Sequence, residues 1–159
     1  MNTEEVAKKV VELTRKQAFK EAIDTLYDKD IVSVEARTMD GSSPETRGIE
    51  GVRGKTEWFE QNMQVHSFKA SEPYVAHDRF VVQYDADVTD KNSKKRMPLS
   101  EVGVYTVKSG KIVREEFLPR AFEQRTSLRQ IPLARALRAQ DRAIRLGFSP
   151  AVRRARARP

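Results

Sequence analysis

Glu101 and Glu115 each interrupt an apolar run of period two. Leu99, Glu101, Gly103, Tyr105 and Val107 share one side of an alternating stretch, and Val113, Glu115 and Phe117 share one side of the next. A carboxylate held among apolar neighbours is disfavoured as the anion, so its pKa climbs, by several units when burial is complete. Two such groups close together push their titrations further apart. The pair then supplies a base and an acid near neutral pH, which abstraction of a proton next to a carbonyl requires. Tyr84 and Tyr105 offer O–H donors to a developing oxyanion, and His66 offers a proton shuttle. Each residue also has a plain structural reading. Either glutamate fits a solvated or intersubunit face, or a pair with Arg96 or Arg114. The tyrosines fit a core, and His66 fits a structural hydrogen bond near a strand start.

The elements that must position these groups follow from periodicity. Val6, Val10, Leu13 and Gln17 mark one helix face, with Thr3 as the expected N-cap. Phe19, Ala22, Ile23, Leu26 and Tyr27 predict a second helix, closed by Asp28-Lys29-Asp30. Residues 31–36 read as a short β-branched strand, and 38–47 as a loop. Gly51 to Met63 predicts a third helix carrying Trp58, Phe59 and Asn62. Thereafter the period is two, giving strands over 65–75, 79–89, 97–107 and 111–118, with turn signals between them. In the last strand Ile112, Arg114, Glu116 and Leu118 are expected to oppose Glu115. Helices first and a strand meander afterwards predict an α+β fold, three helices packed on one face of a curved, mainly antiparallel sheet.

Charge divides the chain at Pro119. Residues 1–119 carry a net charge of −2, and residues 120–159, with 11 Arg and no Lys, a net of +9. The expected organisation is a domain over 1–119 and a basic Arg/Ala-rich extension over 120–159. In that extension Leu133, Leu137 and Ile144 are spaced as on a helix. Such a segment fits a helix packed on the body or on a dimer partner, contact with nucleic acid or an anionic membrane, or an extension without a selected role. The chain has no cysteine, which excludes disulfides and thiolate chemistry. Two histidines without a close His or Cys partner argue against zinc, and nothing in the sequence calls for a metal or organic cofactor. No apolar run approaches the roughly 18 residues of a membrane span. The N-terminus lacks the apolar stretch of a secretory signal. The expectation is a soluble, cytoplasmic protein.

The stretches RGIEGVRGKTEWFEQNMQVHS, DRFVVQYDADVT and MPLSEVGVYTVKSGKIVREEF, in a helix–helix–strand–helix–meander order, resemble the NTF2-like superfamily and within it the SnoaL-like group. Relatives of that group include polyketide cyclases and ketosteroid isomerases. The resemblance covers residues 3–118 and implies a cone-shaped fold enclosing a pocket open at one end. In the isomerases a general-base carboxylate sits on the first strand, and the matching position here is Glu35. The isomerase oxyanion-hole positions fall at Val10 and Gly103, neither of which can donate a side-chain hydrogen bond. Ketosteroid isomerisation by that mechanism is therefore not expected.

The resemblance further implies that Glu35, Glu101 and Glu115 share the cone, with Trp58, Asn62, Tyr84 and Phe117 lining it and His66 and Tyr105 assisting. Two readings stand at this point. One is a domain binding a small apolar ligand or substrate, with isomerase, cyclase or hydrolase chemistry on Glu35 as base. The other is a non-catalytic, homodimeric ligand-binding or protein-interaction module.

Overall fold

The computed structural model describes residues 1–35 and 43–120. The tip of the loop predicted over 38–47 and the basic extension beyond Arg120 lie outside the described residues.

Helix α1 (Thr3–Arg15) opens one residue earlier than the sequence suggests. Asn2 is its cap, accepting the Glu5 amide at 2.9 Å while the Glu5 carboxylate accepts the Asn2 amide at 2.8 Å. This reciprocal arrangement satisfies two amides that the helix itself cannot. Val6, Val10 and Leu13 form its buried face. Gln17 falls beyond the helix, at φ +56° in the turn to α2 (Phe19–Leu26).

Strand β1 (Tyr27–Glu35) begins directly after α2, so Tyr27 belongs to the strand and not to the helix. Part of the predicted loop forms a short strand, β2 (Glu45–Arg47), antiparallel to β1. Helix α3 (Ile49–Asn62) follows Gly48, whose φ of +80° suits glycine. The strand predicted over 65–75 is two strands, β3 (Met63–Ala70) and β4 (Tyr74–Ala76). Pro73 stands in the gap and has no amide to give to a ladder. The long hairpins are β5 (Arg79–Asp90), β6 (Arg96–Lys108) and β7 (Lys111–Pro119). Ser109 and Gly110, both at positive φ, make the two-residue turn between the last two.

The strands form one sheet in the order β2-β1-β7-β6-β5-β3, with β4 on β5. Only β1 and β7 pair in parallel, and the other pairs are antiparallel. The core joins α1 and α2 to the inner side of the sheet through Leu26, Ile31, Phe80, Val82 and Ile112, all nearly inaccessible.

Ile112 overturns the expected alternation in β7. Thr106 pairs with Arg114 and Val107 with Ile112, so Val113 is an extra residue. The bulge resets the period, and Ile112 and Glu115 both point inward.

Candidate functional site

Strand register brings distant residues into neighbouring rows on the inner side of the sheet. One row runs Ser33–Glu115–Tyr105–Phe80 across β1, β7, β6 and β5. The next runs Glu35–Phe117–Gly103–Val82. The third places Glu101 between Pro119 and Tyr84. The three glutamates therefore occupy three adjacent rows of one surface.

Glu115 is 2% exposed. Its two oxygens accept from different hydroxyls: Tyr27 donates to Oε2 and Ser33 to Oε1, each at 2.7 Å. Burial raises the Glu115 pKa, while Lys55, Ser33 and Tyr27 oppose the rise. Burial first, and then the Glu115 charge, push Tyr27 well above the usual phenol range, so its hydroxyl stays a donor at neutral pH.

Lys55 on α3 completes the group and is the residue that sequence reasoning missed. Its Nζ donates to Ser33 Oγ and to Glu35 Oε1, both at 2.5 Å, and lies 3.9 Å from Glu115 Oε1. The ammonium also stands 5.4 Å from the centre of the Phe117 ring, within cation–π range. The signal for it was positional. Lys55 lies three residues after the buried Val52 and four before Phe59, on the stripe of α3 that faces the sheet. A charge on an apolar stripe is the informative observation. Ser33, fully buried between Val32 and Val34, carried the same kind of signal.

Glu101 differs from both other glutamates. Burial lifts its pKa to about 7, helped by the charges of Glu35 and Glu115 and opposed by Lys55. Tyr84 and Tyr105 are buried and share a hydrogen bond between hydroxyls at 2.9 Å. Burial lifts both phenols above their ordinary range. Gly103 makes this pairing possible: a Cβ there would lie 2.8 Å from the Tyr105 ring, which crosses the strand at that point. Phe117 meets Tyr105 edge-on, with ring centres 6.3 Å apart.

Three expected site residues stand elsewhere. His66 is exposed, the extra residue of a bulge between Val65 and Ser67, and its Nε2 lies 2.8 Å from Thr89 Oγ1. Trp58 is 51% exposed, because the stripe through Val52, Lys55 and Phe59 turns it away from the sheet. Asn62 closes α3. Its amide donates to the Trp58 carbonyl, and its oxygen accepts from Asn92 in the β5–β6 turn. Among the described residues, no group of three or more His, Cys, Asp or Glu side chains is placed to hold a metal ion. No helix among them is long and apolar enough to cross a membrane.

The fold has counterparts in known proteins. The sequence pattern of the SnoaL-like domain matches residues 1–119. A crystal structure from Mesorhizobium loti, provisionally described as a SnoaL-like polyketide cyclase with carbohydrate phosphatase as a second label, is 37% identical. It aligns over 74% of this chain and 98% of its own, with a TM-score of 0.69. A provisionally described isomerase from Bacillus subtilis is 20% identical over 74% of this chain and 88% of its own, at TM-score 0.61. An NTF2-like protein from Burkholderia thailandensis is 16% identical over 75% and 91%, at 0.63. These last two show the fold alone. No curated protein matches the chain. With the helix order, the mixed sheet and a match spanning all of the described fold but its final residue, the chain belongs to the SnoaL-like family and has the fold of NTF2-like proteins.

Proposed function

We propose that residues 1–119 bind a small, largely apolar molecule and move a proton on it beside a carbonyl group, with Glu101 as the acid–base residue. The observation that carries this reading is a glutamate poised near neutral pH on the same surface as an ammonium group. A carboxyl with a pKa of about 7 is part base and part acid at neutral pH, the condition under which proton transfer in both directions is fast. Glu35, the position that matches the base of the isomerases, is held against the Lys55 ammonium. That pairing suits a charged, fixed group better than a proton carrier, and moves the base role from Glu35 to Glu101. Glu115 is inaccessible and already bonded to Tyr27 and Ser33, so its part is to position its neighbours.

Proton return to a different carbon would make the reaction an isomerisation. Attack of the enolate on a second carbonyl would make it a cyclisation. The cyclase label of the relative from Mesorhizobium loti names chemistry of this class, and its phosphatase label does not.

A carbon-13 NMR titration of the glutamate carboxyls tests the assignment without a known substrate. The expected midpoint for Glu101, identified by its absence in Glu101→Gln, is near 7. A midpoint in the ordinary carboxylate range removes the physical support for a base at this position. Mass spectrometry of small molecules that co-purify with the chain would then name the ligand class.

A further inference from the structure

We propose that Lys55 is the oxyanion-stabilising residue of this site, anchored from behind by the buried Glu115 through Ser33, and that its substrate is a neutral carbonyl compound. The inference rests on the proton-transfer reading above and adds to it the group that receives the charge.

The hydrogen bonds converge on Glu115. Lys55 donates to Ser33 Oγ, Ser33 donates its own proton to Glu115 Oε1, and Tyr27 donates to Glu115 Oε2. The order Lys55–Ser33–Glu115–Tyr27 thus holds the ammonium from the inner side, and the described residues account for two of its three N–H donors. The third can meet a ligand oxygen. Being 28% exposed at the side chain, Lys55 is reachable where Glu115 is not.

Charge bookkeeping selects the substrate. Glu35 already pairs with the Lys55 ammonium, and Glu101 becomes negative as it ionises, so an anionic ligand would meet like charge. A neutral carbonyl compound avoids this. The ionised Glu101 carboxylate takes a proton from the carbon beside the carbonyl. The C–H electron pair becomes the new C=C bond, and the C=O π pair moves onto oxygen. One negative charge leaves Glu101 and appears on the enolate, beside the Lys55 ammonium. The total is unchanged, and only its position moves. A fixed cation at the arrival point is the preorganised stabilisation that lowers such barriers.

The test follows deuterium incorporation into 2-tetralone, a neutral ketone with acidic C–H bonds, in heavy water with the full chain. Lys55→Met is expected to lower the rate constant about 100-fold with little change in KM, as loss of one oxyanion donor does, and Lys55→Arg to retain most of it. The pH midpoint of the exchange is expected to rise in Lys55→Met, since the ammonium favours the ionised Glu101. Circular dichroism checks the fold, and the Lys55→Met/Glu115→Gln double variant removes the uncompensated buried charge if the single variant unfolds. Exchange left intact by Lys55→Met, or a midpoint that stays or falls, overturns this inference alone. No exchange by the unaltered chain overturns it together with the proton-transfer reading.

Discussion

Glu115 and Glu101 lie on neighbouring strands of the same sheet surface, yet the protein treats them as different chemical groups. Glu115 is sealed at the β1–β7 seam with a hydroxyl on each oxygen. Glu101, farther along β6, is half-buried and responds mainly to desolvation and to its neighbours' charges. Burial acts on both, but among the described residues hydrogen bonding compensates only the first. The comparison teaches that depth alone does not make a catalytic carboxyl. Depth with satisfied partners makes a structural anchor, whereas partial depth leaves desolvation and neighbouring charges to set the proton affinity.

The sharpest way to break the comparison is to remove the anchor. Glu115→Ala leaves the Tyr27 and Ser33 hydroxyls unbonded and Lys55 with one counter-charge fewer, so urea unfolding should show a loss of about 3–5 kcal/mol. A loss under about 1 kcal/mol would mean that the buried network is not a structural unit.

Removing Glu101 should have the opposite effect on stability, and one that depends on pH. Its native pKa of about 7 exceeds the unfolded value near 4.5, so between these values the native chain binds more protons than the unfolded one. Its contribution therefore falls as pH rises from about 4.5 to 7, and the full cost is present above that range. Glu101→Gln removes the dependence. Relative to the unaltered chain it should be about equal near pH 4 and more stable by up to ~3 kcal/mol at pH 8. Denaturation at the two pH values reads the difference directly, and an equal effect at both would contradict a raised Glu101.

Two smaller changes refine the picture. Tyr27→Phe deletes one donor to Glu115 and should cost about 1.5–3 kcal/mol, the range for a hydrogen bond to a charged group. Gly103→Ala forces the Tyr105 ring out of its place over the strand and should cost about 1–3 kcal/mol. A crystal structure of that variant is expected to show the Tyr84–Tyr105 hydroxyl bond broken. At the lower end, His66→Ala should leave deuterium exchange into 2-tetralone within about twofold, because the imidazole faces Thr89 on an exposed bulge. A larger loss would return His66 to the site.

Much of the fold could be read from the chain because its signals are local. The helix faces of Val6, Val10 and Leu13 and of Ala22, Ile23 and Leu26 are short-range patterns, as is the period of two in the strands, along which Phe80, Val82, Tyr84 and Val88 of β5 are all buried. The errors are local exceptions. One bulge moved Ile112 inward, a second put His66 out of register, and Pro73 divided a strand. A bulge has no dependable signature in a single sequence, and one extra residue reverses every side chain beyond it. The candidate site was half legible. Glu101 and Glu115 stood out as charges in apolar rows, whereas Lys55 did not, because its helix was read for aromatics and its partners are remote.

By itself the sequence determined the family, the order of helices and strands, and the presence of carboxylates on the apolar side of the sheet. The tertiary structure alone decided how differently the proton affinities of Glu101 and Glu115 are set. Tyr27 and Ser33 reach Glu115 across 88 and 82 residues of chain, and Lys55 reaches Glu35 across 20. A carboxyl's proton affinity depends on the groups within a few ångströms of it and on how much water is excluded there. Those neighbours meet only when β1 closes against β7 and α3 packs against β1.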